Sequence, residues 1–288
     1  MSWRTVVISN NAKLDYQLGY LVVRGQETKK INLNEIRTLI IESTVVSFTS
    51  YLLCELVKNK IKVIFCDEKR SPISELLPYY GSHNTSMKIR NQIQWRKEKK
   101  TSVWTQIVTE KILQQALLLQ DLQMPEAQML FRYIDEMEPG DMTNREGHAA
   151  KVYFNALFGK NFSRAEEHPI NAALNYGYSI LLSMFNREIT ANGYLTQLGL
   201  FHDNMFNPFN LSSDLMEPFR PVVDRKVWDM HPGTFEKDEK HELLQITCQE
   251  LTVAGKKEVL DNAVKIYVKS VFDVLETDEE MDIRFYRR

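Results

Sequence analysis

The chain has 288 residues, 43% of them hydrophobic, enough for one large or two modest domains with buried cores. Lys and Arg number 36 against 38 Asp and Glu, a net charge of -2 that excludes the bulk basic character of a nucleic-acid binder and confines any DNA contact to local patches. The three cysteines show no paired spacing, and neither a charged leader nor an apolar run of membrane-spanning length is visible, so a reduced, cytoplasmic protein without membrane association is expected.

From Trp3 to Leu77 the texture is short strands, in RTVVIS, KLDYQLGYLVVRG, RTLIIES and KVIFCD. β-branched and aromatic residues separated by Asn, Gly and Asp predict hairpins and a small sheet or sandwich, interrupted by one helix at SYLLCELVKNK. Asn10, Asn11 and Lys13 read as turn chemistry. Cys54 and Cys66 lie in apolar runs and are expected to be buried structural thiols. Pro78 and Gly81 in PYYGSHNTS mark a change of texture. The expected fold is α+β: a β-rich, sandwich-like domain over residues 1–77, a linker over 78–88 and a larger all-α domain over 89–288.

The helical half opens with a basic cluster, Lys88, Arg90, Arg96, Lys97, Lys99 and Lys100, with Trp95 and Trp104 alongside. Such a cluster could track a phosphate backbone by counterion release, or form a solvated helix face over buried tryptophans. The acidic turn DEMEPGD reads as exposed loop charge. It leads into NREGHAAKVYF, where Glu146, Ala149, Ala150, Tyr153 and Phe154 follow helical spacing and His148 points to another face. A long apolar helix region over 170–198 carries Asn171, Asn175, Tyr176 and Tyr178 as polar points, for orienting ligands, touching DNA or structural hydrogen bonding. After Asp224, further helices are expected. Val264, Val268, Val271, Phe272 and Leu275 form a packing stripe, and the tail TDEEMDIRFYRR is expected to be loosely held.

The chemistry concentrates between Gly199 and Asp224. His202 precedes Asp214 and Glu217, which share a face if that stretch is helical, and Glu146 could add a third carboxylate. Carboxylates with one imidazole suit Mg²⁺ or Mn²⁺ better than zinc. The same Asp and Glu have the spacing of a capping pair, with SSD as the cap, so spacing leaves both readings open.

REGHAAKVYFNALFG, HPINAALNYGYSILLSMFNREITANGYLTQLGLFH and LSSDLMEPFRPVVD, in that order, resemble the three-part signature of the CRISPR-associated integrase, the DNA-joining subunit of the spacer-acquisition complex. The similarity extends over about residues 3 to 275. It departs from the family at His168, where relatives often carry aspartate. The resemblance implies Mg²⁺ or Mn²⁺ held by Glu146, His202 and Glu217, with Asp214 as an auxiliary acid. It implies an endonuclease and integrase that joins DNA 3′-hydroxyl ends to a repeat by transesterification, with no protein nucleophile. It further implies a homodimer whose β domain contributes to dimerisation, two such dimers flanking a dimer of the second adaptation protein on double-stranded prespacer and repeat DNA. The N-terminal region resembles type II-A members, whose systems add an accessory DNA-end-binding ring protein and an RNA-guided effector nuclease. Arg220 and Arg225 are candidate phosphate contacts because guanidinium donors match phosphate oxygens in pairs. Two other classes stay open: a metal-dependent nuclease acting on branched DNA, and a non-catalytic helical scaffold whose acids only cap helices.

Overall fold

A computed structural model of the chain describes residues 4–76, 78, 82–279 and 281–287. It divides into two compact units, residues 1–79 and 80–288, the first rich in strands and the second dominated by helices.

The first unit runs β1 (Arg4–Ile8), β2 (Ala12–Gln17), β3 (Tyr20–Arg24), β4 (Thr28–Asn32), β5 (Ile36–Ile41), β6 (Val46–Phe48), α1 (Ser50–Lys58), β7 (Lys62–Cys66) and β8 (Pro72–Leu76). Two four-stranded sheets result, ordered β1-β5-β7-β8 and β4-β3-β2-β6. Leu14 and Leu21 from one sheet and Ile8, Leu39, Ile41 and Val63 from the other join one core, with Leu52 and Leu56 of α1. The expected hairpins occur in β2-β3-β4, where Leu18 and Gly19 both take positive φ in a two-residue turn whose twist matches the strands. In the other sheet β7 and β8 also form an antiparallel hairpin, but β1, β5 and β7 pair in parallel. The reason is legible in the residues: IRTLII and KVIFC are nearly continuous buried runs rather than alternating ones, and parallel strands are covered on both faces. Cys66 is buried as expected, but Cys54 lies exposed on α1.

The second unit runs α2 (Thr85–Ile93), α3 (Lys97–Asp121), α4 (Ala127–Asp135), α5 (Arg145–Phe158), α6 (Pro169–Ala191), α7 (Asn210–Met216), α8 (Arg220–Met230), α9 (Lys237–Leu244), β9 (Glu250–Val253), β10 (Lys256–Val259), α10 (Leu260–Glu276) and β11 (Tyr286–Arg287). The 25-residue α3 and 23-residue α6 carry buried residues on every side, as central helices of a bundle do. His168 caps α6 in place of an acid, its Nδ1 accepting from the Ile170 amide at 3.2 Å. The Val264 to Leu275 stripe of α10 is buried.

Three expectations need correction here. Residues 85–88, read as linker, form the first turn of α2, while Leu77, Tyr79, Tyr80 and Gly81 lie outside the described residues. The unit is not all-α: ELTVAGKKEV forms the β9-β10 hairpin, turned by Ala254 and Gly255 at positive φ, and β11 pairs with β9. The tail is held rather than loose, since Ile283 and Tyr286 are buried; Glu280 and Arg288 lie outside the described residues. Among the described residues no helix is long and apolar enough to cross a membrane.

Candidate functional site

Glu146 sits in the first turn of α5, which is anchored twice. Asn144, in the left-handed region, accepts from the Gly147 amide, and Asp141 accepts from the amides of Arg145 at 2.6 Å and Glu146 at 3.0 Å. The acidic turn thus contains a helix cap, satisfying donors that a helix start leaves free. The anchored backbone directs the Glu146 carboxylate to α3, where Lys111 Nζ lies 2.5 Å from its Oε1.

Glu217 comes from the other side. α7, a 3₁₀ turn at Glu217–Phe219 and α8 follow one another with Glu217 itself in right-handed helical conformation. Pro218 and Pro221 stand near the starts of the turn and of α8, where a missing N–H does least harm. The capping reading is therefore corrected: Glu217 lies buried within the helical run, and its side chain caps nothing. Its Oε1 accepts from Arg220 Nε at 2.8 Å, and its Oε2 contacts Lys111 Nζ. One lysine thereby bridges Glu146 and Glu217.

His202 is delivered by the loop between α6 and α7. Asp214, fully buried on α7, accepts the backbone N–H groups of Leu200 at 2.6 Å, Phe201 at 3.0 Å and His202 at 3.2 Å. The same carboxylate meets His202 Nδ1 at 2.5 Å, so with Nδ1 carrying the proton, Nε2 is left free to accept or ligate. Asp214 is a positioning acid, and its acceptor capacity is spent on the loop. Gly199 allows this close approach, because a Cβ there would lie 2.2 Å from the His202 carbonyl oxygen and 2.8 Å from Asp214 Oδ2. Phe201 stacks on buried Trp104 with ring centroids 4.6 Å apart. Gln92 and Asn210 pin the rest of the loop through its backbone carbonyls.

The charges respond to one another. Burial pushes the Glu217 carboxyl up, but Arg220 and Lys111 outweigh it and hold the group down at about 2. Burial acts to lower the Lys111 ammonium from its ordinary value, and Glu217 with Glu146 more than reverse that and raise it. The hydrogen bond with Asp214 raises the His202 imidazole above its ordinary value, and Glu217 and Glu146 add to the rise. Their charges are felt at His202. Among the described residues, however, no three His, Cys, Asp or Glu side chains are gathered closely enough to hold a metal ion as they stand. The donor set itself, two Glu carboxylates and one imidazole, suits a hard or borderline divalent cation. Glu217 Oε2 supports the fit: it is a buried carboxylate oxygen that already meets a cation, the Lys111 ammonium.

The expected DNA contacts divide. Arg220 is committed first to Glu217, with its guanidinium 4.6 Å over the Tyr178 ring. The contacts of the others run elsewhere: Arg225 pairs with Asp229 on α8, Lys88 donates to the Tyr194 hydroxyl at 3.1 Å, and Arg96 pairs with Asp278. Arg90 is exposed on α2. Of the polar points of α6, Tyr178, with Tyr153 of α5, donates to the buried Asp224 carboxylate, and Asn171 and Asn175 accept from Arg164.

Lys111 escaped the sequence reading. Its signal was a lysine inside VTEKILQQALLL, a stretch too apolar for a solvated face, where a buried ammonium needs acidic partners. Tyr286 escaped as well, since it arrives from the far end of the chain to donate to the Pro218 carbonyl at 3.2 Å, beside Glu217.

The class is that of a strand-rich unit followed along the chain by a helical unit in which Lys111 bridges two glutamate carboxylates and Asp214 holds His202. The family model described as CRISPR associated protein Cas1 matches residues 5–262, and the chain belongs to that family. It is 37% identical over 229 residues to the CRISPR-associated endonuclease Cas1 of Neisseria meningitidis serogroup C (strain 8013), covering 79% of this chain and 75% of that one. A second relative, from Francisella tularensis subsp. novicida (strain U112), is 28% identical over 84% of each chain. In fold, the chain is similar to a Cas1 protein of Thermotoga maritima (TM-score 0.78, 17% identity, 97% of this chain and 99% of that one). It is equally similar to a casposase bound to integration product (TM-score 0.78, 17% identity, 98% and 93%).

Proposed function

We propose that this chain is the integrase of CRISPR spacer acquisition, a divalent-metal-dependent endonuclease that joins prespacer 3′-hydroxyl ends to repeat DNA by transesterification. The observation that carries this reading is the convergence of Glu146 and Glu217 on one cationic point, in a unit where Asp214 also holds the His202 imidazole. The name of the Neisseria relative, and the casposase bound to integration product, support the reaction class.

In this reading Glu146, Glu217 and His202 Nε2 hold Mg²⁺ or Mn²⁺. When bound, the ion would polarise the scissile phosphodiester and stabilise the departing oxygen. Asp214 fixes the imidazole tautomer and turns Nε2 toward the centre. Arg220 keeps Glu217 ionised and in place, and offers its remaining N–H donors to a phosphate oxygen. Lys88, Arg90, Arg96 and Arg225 supply backbone contacts along DNA. The nucleophile belongs to the DNA, so no protein serine or cysteine takes part.

The partners in this reading are a second copy of the chain, the second adaptation protein, and double-stranded prespacer and repeat DNA. Complexes described as Cas6-RT-Cas1–Cas2 share the fold, with TM-scores of 0.63 and 0.61, and support the second of these. A type II-A setting adds the ring protein and the effector nuclease.

The test is strand transfer in Mg²⁺ or Mn²⁺: a labelled duplex with free 3′-hydroxyls, a repeat-bearing supercoiled plasmid and the second adaptation protein, with wild type against Glu217→Ala. Label joined by wild type alone is expected. Joining by both would move the site elsewhere, and joining by neither, with protein folded and partner assembled, would remove the integrase reading.

A further inference from the structure

We propose that Lys111 is a resident counter-cation of the Glu146 and Glu217 pair, which a divalent ion must displace in order to bind; this lysine therefore sets the metal affinity of the site and keeps the site assembled without metal. The proposal rests on the metal reading above.

Lys111 Nζ lies 2.5 Å from Glu146 Oε1 and also contacts Glu217 Oε2, so a single ammonium stands where the two carboxylates converge. Carboxylates brought this close repel unless a cation lies between them. The side chain is buried, 9% exposed, and so is that of Glu217 at 4%, so water screens the repulsion poorly.

The two contacts are not equivalent. The contact with Glu146 has hydrogen-bond geometry. That with Glu217 Oε2 is a buried ion contact, while Oε1 is held by Arg220. A buried anionic oxygen whose cation sits on a flexible stem is open to a cation with better coordination. A lysine suits a displaceable role, being a compact charge on a flexible stem, whereas the planar Arg220 is fixed by Glu217 and by the Tyr178 face. The displaced ammonium has somewhere to go. At i+4 on the same helix, buried Gln115 carries a side-chain oxygen without a hydrogen-bond partner, and residues so spaced are neighbours along a helix.

The experiment measures Mn²⁺ binding, by the electron paramagnetic resonance of free Mn²⁺, and melting with and without Mn²⁺. It uses the full chain as wild type, Lys111→Met, Glu217→Gln, and Lys111→Met combined with Glu146→Gln. Lys111→Met should melt lower than wild type without metal, bind Mn²⁺ about tenfold more tightly, and show a larger Mn²⁺-induced rise in Tm, as linkage requires of a ligand that binds only the folded state. Adding Glu146→Gln should restore the metal-free Tm, because it removes one of the repelling charges. A Lys111→Met protein that folds only when Mn²⁺ is present gives the same support. Equal or weaker Mn²⁺ binding by Lys111→Met, with Glu217→Gln abolishing binding in an otherwise wild-type chain, would overturn the role of the lysine and leave the metal site standing. No difference between wild type and Glu217→Gln would remove the metal site and this proposal with it. Failure of both lysine variants to fold, with or without Mn²⁺, would show that Lys111 acts by packing and overturn the proposal.

Discussion

Asp214 Oδ1 lies 2.5 Å from His202 Nδ1, and the carboxylate accepts three successive backbone amides, those of Leu200, Phe201 and His202, at 2.6 to 3.2 Å. The acid that orients the imidazole also shapes the loop that carries it. Asp214→Ala should leave those donors without an acceptor, each costing about 1–3 kcal/mol, and should lower the melting temperature and abolish strand transfer together. Asp214→Asn keeps one accepting oxygen; it should lose less stability but still slow joining by about tenfold or more, because the imidazole tautomer is no longer set. His202→Ala removes no buried acceptor and should abolish joining with little change in melting. Calorimetry beside the plasmid-joining assay separates the three, and a fully active Asp214→Asn would refute the positioning role.

Gly199 lies where a Cβ would press to 2.2 Å from the His202 carbonyl oxygen. That neighbour is backbone and cannot rotate away. Gly199→Ala should therefore push the loop off Asp214, destabilise the protein by about 1–3 kcal/mol and reduce joining in proportion. Denaturant unfolding and the same joining assay check this; a variant with wild-type stability would mean that the loop tolerates the displacement.

Burial pushes the Asp224 carboxyl up to about 6, against the hydrogen bonds donated by Tyr178 and Tyr153 and the charge of Arg220. The folded state thus binds this proton more tightly than the unfolded chain, whose ordinary value is 3.8. The stability so gained is fully present below about pH 4 and is lost as pH rises through about 6. Glu217 behaves in the opposite sense: held at about 2 against an ordinary 4.5, it contributes above pH 4.5 and its contribution is lost as pH falls toward 2. Asp224→Asn should flatten the decline between pH 4 and 6, on the order of 2 kcal/mol, while leaving the acid limb intact. Unfolding free energies measured across that range decide it, and an unchanged decline in the variant would place the titration elsewhere.

Tyr286 is fully buried, packs its ring against Phe219 at 4.8 Å and donates to the Pro218 carbonyl. Tyr286→Ala should destabilise the helical unit by about 3–5 kcal/mol. Tyr286→Phe, which loses only the hydroxyl, should cost about 1 kcal/mol and lower joining more than its stability loss explains, because Pro218 adjoins Glu217. Unfolding midpoints and joining rates for the two variants test this.

The order of the signature motifs and the candidacy of Glu146, His202, Asp214 and Glu217 were legible from the residues, because those chemistries sit in distinctive local strings. The central helices were legible as well, from long apolar stretches with helical spacing. Local strings also produced the errors. ELTVAGKKEV has an alternating pattern that only pairing with the distant β11 completes, and the β1, β5 and β7 strands find each other across long connections. Spacing could not separate a capping acid from a ligand at Asp214 and Glu217, since both uses need the same residues in the same order. Tertiary structure set the capping use aside by bringing loop amides to Asp214, and Arg220 and Lys111 to Glu217. Lys111 marks the limit most clearly: Glu146 lies 35 residues along the chain from it, and no local pattern links the two. Sequence by itself determined which charged groups the protein owns and much of where helices form, through side-chain chemistry and periodicity. Only the tertiary structure decided which charges face one another, because a buried ion's partner is chosen by packing across elements, not by distance along the chain.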